Sequence, residues 1–373
     1  MYARHSAAGH GWRRIAAVGA LVLAGAMVAA IAGCADDGGP VEPAEVGVQP
    51  DVIAGLEWDP DAVAAIAPGL VGWRSPNDDA PGALVALSEE ASAVVLWESP
   101  PPAEAWVQLT AVRPDGRAMV GVVSTSEGGG EPIEQTVVFG EDGSVNPIDL
   151  PEGFGGARAA FVGDNIVLAA YHLTQDDIED RLGVVSPDGQ WADIEISGDL
   201  PSYQFIDAVV ALPDSETVGL VLKLPGGTGD RDDDALVLGT LSGRTLDVWA
   251  GPLYDDALPG ARALRDGEGV SFVQTWNMAD GAWAPILVRA EWDGTSWVET
   301  ALTAPGDIAV AVEAGEQLAV GAQGTYWVRT SVDPEYVGES TLLSVSAAGD
   351  GPAHTGIDVT DVSWFEWIAP SAE

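Results

Sequence analysis

Two interleaved series of tight turns, each returning about every 50 residues, constrain this chain more than any other feature of its sequence. The first falls at Pro68-Gly69, Pro114-Asp115-Gly116, Gly163-Asp164, Pro213-Asp214-Ser215, Asp266-Gly267 and Ala314-Gly315, and its steps from Gly69 to Gly315 are 47, 47, 52, 52 and 48 residues. The second falls between them, at Glu89-Glu90, Asp142-Gly143, Asp188-Gly189, Ser242-Gly243, Asp293-Gly294 and Asp350-Gly351, with steps of 53, 46, 54, 51 and 57. Asp-Gly pairs suit hairpin turns, because both residues take positive φ at little steric cost. Short β-branched and apolar runs lie between the turns, and almost nothing sustains a helical period.

Each period reads as four strands. In the second unit these are expected at Trp106 to Arg113, Arg117 to Thr125, Gln135 to Phe139 and Ser144 to Leu150. Four strands in one such period make a propeller blade, and six periods fit between Leu56 and Ala369. The expected fold is therefore all-β, a six-bladed β-propeller of four-stranded blades occupying 56–369. A seven-bladed ring is the alternative, and the regular period argues against a pair of β-sandwiches. The apolar run Val362-Ser363-Trp364-Phe365-Glu366-Trp367-Ile368 follows the sixth unit and is placed to close the ring against the first blade. With 46 Gly and 25 Pro, and 47% of residues hydrophobic, the composition favours turns around a packed core over long helices.

The segment Arg113-Pro114-Asp115-Gly116-Arg117-Ala118-Met119-Val120-Gly121 resembles the repeats of TolB-type propellers, whose units begin with a Ser-Pro-Asp-Gly-Lys-like turn followed by an apolar strand. Leu212-Pro213-Asp214-Ser215 is a weaker copy. Ser186-Pro187-Asp188-Gly189-Gln190 has similar letters but belongs to the second turn series. The resemblance covers two units and bears on blade geometry alone.

Ahead of the repeats, Arg4, Arg13 and Arg14 precede an uncharged run of Ala, Val, Leu, Ile, Gly and Met from Ile15 to Gly33, the basic and apolar regions of an export signal. The run ends in Ile31-Ala32-Gly33-Cys34, which resembles the lipobox of bacterial lipoproteins. That resemblance implies cleavage after residue 33, lipid attachment at Cys34, and an extracytoplasmic protein held to the cell membrane. An uncleaved transmembrane anchor is the competing reading, but a stretch so rich in Ala and Gly is only mildly apolar. Arg13-Arg14 leaves the twin-arginine route open beside the general one. Residues 1–33 are thus read as a signal peptide and 34–55, with Asp36, Asp37, Pro40, Pro43 and Pro50, as a polar tether. Cys34 is the only cysteine, which excludes an intrachain disulfide and any site built on several cysteines.

The acids dominate the charge. Beyond Cys34 there are 58 acidic residues against 12 basic ones, or −46, with Lys223 the single lysine. Such a surface repels phosphate backbones, so nucleic acid is excluded as a partner, while a cation, a basic protein or a polymer of the cell envelope is favoured. Much of the acid falls in the longer connections expected on one propeller face: Asp78 and Asp79, then Glu127, Glu131 and Glu134, then Asp176, Asp177, Glu179 and Asp180. Further along come Asp230, Asp232, Asp233 and Asp234, then Asp333, Glu335 and Glu339. Asp230, Asp232 and Asp234 alternate as in the first half of a calcium loop, and with Asp176, Asp177 and Asp180 they form the candidate ligands for calcium or another hard cation. Ala235 replaces the glycine of an EF-hand and no glutamate closes the loop, which excludes that motif.

Catalytic patterns are sparse. Past Cys34 the only histidines are His172 and His354; His172 ends an expected strand and is a candidate general base or a simple strand-end hydrogen bonder. Neither a Gly-x-Ser-x-Gly elbow nor a phosphate-binding Gly-Lys-Ser/Thr loop is present. The leading expectation is a lipid-tethered binding or scaffold module, and its rival is a propeller hydrolase or lactonase using a carboxylate-held metal. The tryptophans from Trp58 to Trp367 are expected to pack between blades.

Overall fold

The computed structural model describes residues 52–369 apart from 54, 66–68, 78–79, 90–93, 101–104, 126–132, 174–177, 212–215, 226–233, 256–257, 264–268, 278–282, 310–317, 322–323, 332–338 and 348–350. The expected signal segment, Cys34 and most of the expected tether lie outside these residues.

Six sheets, antiparallel but for one short added strand, account for nearly all of the regular structure among the described residues. Blade 1 holds β1 (Gly69–Arg74), β2 (Ala83–Leu87) and β3 (Val94–Glu98). Blade 2 is β4 (Trp106–Val112), β5 (Met119–Thr125), β6 (Ile133–Phe139) and β7 (Val145–Pro147). Blade 3 is β8 (Gly155–Val162), β9 (Asn165–Leu173), β10 (Ile178–Val185) and β11 (Trp191–Asp193). The short β12 (Glu195–Ser197) leads into blade 4, made of β13 (Phe205–Ala211), β14 (Thr217–Lys223), β15 (Asp234–Ser242) and β16 (Thr245–Tyr254). Blade 5 is β17 (Arg262–Ala263), β18 (Gly269–Asn277), β19 (Trp283–Trp292) and β20 (Trp297–Ala301). Blade 6 is β21 (Leu318–Val320), β22 (Thr325–Ser331), β23 (Ser340–Ser346) and β24 (Pro352–Asp358), followed by β25 (Trp364–Ile368).

β25 returns to the beginning of the chain. It pairs antiparallel with β1, from Gly69↔Ile368 to Trp73↔Trp364, and becomes the innermost strand of blade 1. The inner strands then touch in sequence around a ring: β4 against β8, β8 against β13, β13 against β17, β17 against β21, and β21 against β25. The last gap closes through Trp364, whose indole N–H donates to Leu109 O of β4 at 2.9 Å, and through Ala369 N, which donates to Pro114 O at 2.6 Å. The protein is a six-bladed β-propeller.

Buried side chains group into six clusters, one for each blade–blade interface. Trp73, Trp97, Leu109, Met119, Phe139 and Trp364 join blades 1 and 2, with Trp58 from the chain ahead of blade 1. Val138 and Phe161 join blades 2 and 3, Leu182 and Leu220 blades 3 and 4, and Leu236 and Phe272 blades 4 and 5. Leu287 and Leu343 meet between blades 5 and 6, and Leu342 and Phe365 between blades 6 and 1. Alternation along each strand sends successive side chains to the two neighbouring blades, so a sheet buried on both faces reads as a nearly continuous apolar run. β14 and β15, with Val218, Leu220, Leu222, Leu236 and Leu238 all buried, show this pattern.

The packed structure begins before the first blade. Val52 and Ile53 rest on the blade 1–2 cluster, Trp58 donates its indole N–H to Gly140 O at 3.0 Å, and Trp97 donates to Glu57 O at 2.7 Å. Asp59 caps the short helix α1 (Pro60–Ala64), accepting from the amides of Asp61 and Ala62.

Second-unit strands lie where the turns placed them, with one shortening. β7 stops at Pro147 instead of Leu150: Ile148 N still donates to Thr136 O at 2.8 Å, but the next amide is bound elsewhere, Asp149 N donating to Gly189 O of blade 3 at 3.0 Å. A second departure is β12, a three-residue strand that runs parallel to β16 and covers the outer edge of blade 4. Among the tryptophans, Trp58, Trp73, Trp97 and Trp364 pack between blades 1 and 2, and Trp327 stacks on Trp367 between blades 6 and 1. Trp106 and Trp249 remain exposed.

Candidate functional site

Strand polarity sorts the connections. In blades 2 to 6 a tight turn joins the first strand to the second, and in every blade one joins the third to the fourth, so these turns share one face; in blade 6 the first of them falls between Val320 and Thr325, whereas the Ala314-Gly315 marked by the spacing precedes β21. The connections from second to third strand, and those between blades, open on the opposite face, called the loop face below. In propellers this face carries the longer and more variable segments.

Several acids assigned by sequence to loops belong to strands. Glu134 lies in β6, Glu179 and Asp180 in β10, and Asp234 is the first residue of β15. The ladders reach further than the turn chemistry suggests: Thr125 pairs with Ile133, Leu173 with Ile178, and Lys223 with Asp234. Of the six candidate cation ligands, Asp176, Asp177, Asp230 and Asp232 lie outside the described residues. Asp180 and Asp234 are described, on blades 3 and 4 respectively. Asp234 is buried, with Oδ1 3.1 Å from Nζ of Lys223, its partner in register and the only lysine of the chain. Among the described residues, no three His, Cys, Asp or Glu side chains are grouped so as to hold a metal ion.

Asp180 belongs to a polar group where the loop-face ends of blades 3 and 4 meet. Its Oδ2 accepts from Ile206 N at 3.1 Å, while burial pushes the carboxyl above the usual aspartate range. The Tyr171 hydroxyl donates to Ile206 O, and burial raises its pKa well above that of a free phenol, against the opposing pull of Arg158. Arg158, on the innermost strand of blade 3, stands 3.8 Å from Asp207, on the innermost strand of blade 4. Phe205 packs edge-on against Tyr171. One strand position along, His172 Nδ1 lies 2.6 Å from Gly153 O, and its ring faces Phe154, over which the Arg181 guanidinium sits at 5.1 Å. The histidine is thus a strand-end hydrogen bonder packed on an aromatic ring.

A second pair spans the ring itself. Arg262, on the inner strand of blade 5, places Nε 3.5 Å from Glu366 on the inner strand of blade 1, bypassing blade 6. Arg158, Asp207, Arg262 and Glu366 were not singled out in the sequence. They come from four separate blades, and no local spacing marks residues that meet only when the ring closes.

The chemistry offered among the described residues is one of carboxylates, phenols and a few guanidiniums at the loop-face ends of the blades, in a chain that is strongly acidic as a whole. Like charges at this density oppose the compact state. Raising sodium chloride from about 10 to 300 mM at pH 7, which shortens the Debye length from about 30 to 6 Å, is expected to raise Tm. Lowering the pH acts in the same direction, since Asp180 and Glu134 are both held above their usual pKa by burial. Their contribution is fully present below the unfolded carboxylate pKa and is lost as pH rises through the folded one. The turn carboxylates Asp142 and Asp293 are lowered by hydrogen bonds from Ser144 and Ser296 respectively, so their contribution is present above the unfolded pKa and lost as pH falls through the folded one. Calorimetry is therefore expected to find a higher Tm at pH 5 than at pH 7; the opposite order contradicts this balance.

No family model matches the chain, and no curated protein matches it. Among solved structures it is similar to a TolB protein of Agrobacterium tumefaciens, with a TM-score of 0.45 and 10% identity over 78% of this chain and 89% of the other. It is also similar to the β-propeller domain of the Trilobed protease of Pyrococcus furiosus, with a TM-score of 0.43 and 10% identity over 67% and 70%. A subtype N10 neuraminidase-like protein of an influenza A virus from a little yellow-shouldered bat in Guatemala gives 0.38 and 10% over 78% and 87%.

Proposed function

We propose that the chain is an extracytoplasmic lipoprotein, anchored through a lipid on Cys34, whose propeller is a binding module that takes a basic protein on its loop face. The observation that carries the binding reading is topological. Every second-to-third-strand connection, including those holding Asp78, Glu131, Asp232 and Asp333, starts and ends on one face of a chain with a −43 formal charge. The anchoring reading stands on Arg13 and Arg14, the apolar run and the lipobox-like Ile31-Ala32-Gly33-Cys34. An acylated cysteine at about 0.8 kcal/mol per buried methylene holds a domain at a bilayer without a spanning helix.

Two tests separate these statements. Metabolic labelling with a radioactive fatty acid is expected to mark the wild-type protein and not Cys34→Ser; equal labelling of both removes the anchor. For binding, poly-lysine is the probe, with four acids of the second-to-third-strand connections (Asp78, Glu131, Asp232, Asp333) changed to their amides in one variant. Four acids of the hairpin-turn segments (Glu89, Glu216, Asp266, Asp350) are changed likewise in another. Each variant loses the same net charge, so a face-specific surface predicts at least a tenfold weaker Kd for the first alone, about 1.4 kcal/mol. Equal weakening in both means that only overall charge attracts the probe.

A further inference from the structure

Blade 6 meets the closing strand through two rungs. Lower down, Trp327 of β22 stacks on Trp367 of β25, with centroids 6.2 Å apart and planes 8° from parallel. Two residues further along β22, the guanidinium of Arg329 lies over the ring of Phe365 at 5.7 Å. Arg329 is only 3% exposed, and its Nη2 donates to Val362 O, just before β25. The remaining donors of this interface are not matched by acceptors: Arg329 Nε and the indole nitrogens of Trp327 and Trp367 are buried without a hydrogen-bond partner among the described residues. Burial alone accounts for the lowered pKa of Arg329, to about 10, with no carboxylate opposing it.

A desolvated guanidinium with one carbonyl and one aromatic face for company is under-compensated, whereas Arg113, the other buried arginine among the described residues, holds three carboxylates, Asp115, Glu141 and Asp164, within 3.3 Å. Among the described residues the side-chain atoms left over at the blade 6–1 interface are all donors, and donors beside a positive charge match an oxyanion, which accepts several hydrogen bonds through a planar or tetrahedral set of oxygens. The acidic surface does not prevent this. Exposed carboxylates are screened beyond a Debye length of about 8 Å at physiological salt, while a contact in the low-dielectric interface is screened little.

We infer that the interface between blade 6 and the closing strand is an oxyanion subsite, with Arg329 as the charged ligand-binding residue and a carboxylate or phosphate group as its ligand. Its position beside the strand that completes the ring couples occupancy to ring stability: an oxyanion bound to the folded protein alone raises its melting temperature.

The test uses the full chain, with acetate and inorganic phosphate as separate probes at ionic strength fixed with sodium chloride. Wild-type protein is expected to show a saturable rise in Tm of about 3 °C with at least one probe, and a shift of the Arg329 Nε–H resonance, assigned through Arg329→Lys. A response to acetate alone identifies a carboxylate site, and one to phosphate alone a phosphate site. Arg329→Met, which fills similar volume without the charge, is expected to fold and to lose the rise. An equal rise in Arg329→Met overturns the proposal, and so does an Arg329 Nε–H resonance unmoved by either probe up to about 50 mM. The resonance is read in the wild-type chain and decides the matter even where Arg329→Met fails to fold.

Discussion

Ending the chain after Val362 is expected to abolish cooperative folding. The deletion removes β25, and with it the innermost strand of blade 1 and five register pairs to β1. It also strips apolar partners from two interfaces at once. Trp364 and Ile368 belong to the blade 1–2 cluster, Phe365 to the blade 6–1 cluster, and Trp367 packs on the latter. Removing Trp364 alone, as Trp364→Ala, is expected to cost about 3–5 kcal/mol, the range for a buried aromatic. It also leaves Leu109 O without its indole donor. Losing all four side chains and the ladder together exceeds the 5–15 kcal/mol by which a domain is ordinarily stable. Thermal unfolding followed by circular dichroism is expected to show no sigmoidal transition for the truncated chain. A sharp transition within a few degrees of the full-length Tm contradicts the closure described above.

Two glycines of the second turn series separate backbone strain from steric collision. Gly189 turns the last hairpin of blade 3 at φ +85°, and a Cβ on it would stand 2.1 Å from Pro147 O of blade 2, a backbone atom that cannot swing away. Gly243 makes the equivalent turn in blade 4 at φ +61°, and a Cβ there would meet nothing within 4 Å. Left-handed backbone costs an alanine about 1–2 kcal/mol, so Gly243→Ala is expected to lose about that much. Gly189→Ala adds an overlap at the blade 2–3 interface, where overpacking costs a further 1–3 kcal/mol or so. It also threatens the Asp149 N to Gly189 O hydrogen bond. Urea unfolding is expected to give a loss for Gly189→Ala at least twice that for Gly243→Ala. Equal losses mean that blades 2 and 3 do not approach as closely as the structure has them.

These glycines also show why the architecture was legible. A tight turn is a local event, set by two or three residues, and a propeller repeats it in phase, so the spacing of Asp-Gly pairs carries blade number and strand order without any tertiary knowledge. The closing strand was legible for a related reason: Trp364 to Ile368 is an apolar run left over after the sixth unit. What stayed hidden depends on contacts between distant segments. Asp234 reads as one of a string of loop acids, yet pairing of β14 with β15 draws it into the sheet opposite Lys223. Arg262 and Glu366 are separated by more than a hundred residues and by an intervening blade, and Arg329 differs from any surface arginine only through what Phe365 and Val362 place around it. The three-residue β12 has too little pattern to register against the turns that flank it.

Amide hydrogen exchange on the full chain reaches the ring closure most directly, because β25 has no reason to be protected except its pairing with β1 and its packing on β4 and blade 6. The amides of β25 engaged in the β1 ladder are predicted to exchange only through global unfolding, with the same opening free energy as those in the middle of β14 and β15. Exchange of the β25 amides at rates close to those of an unstructured peptide, while β14 and β15 stay protected, would contradict a ring locked by its last strand.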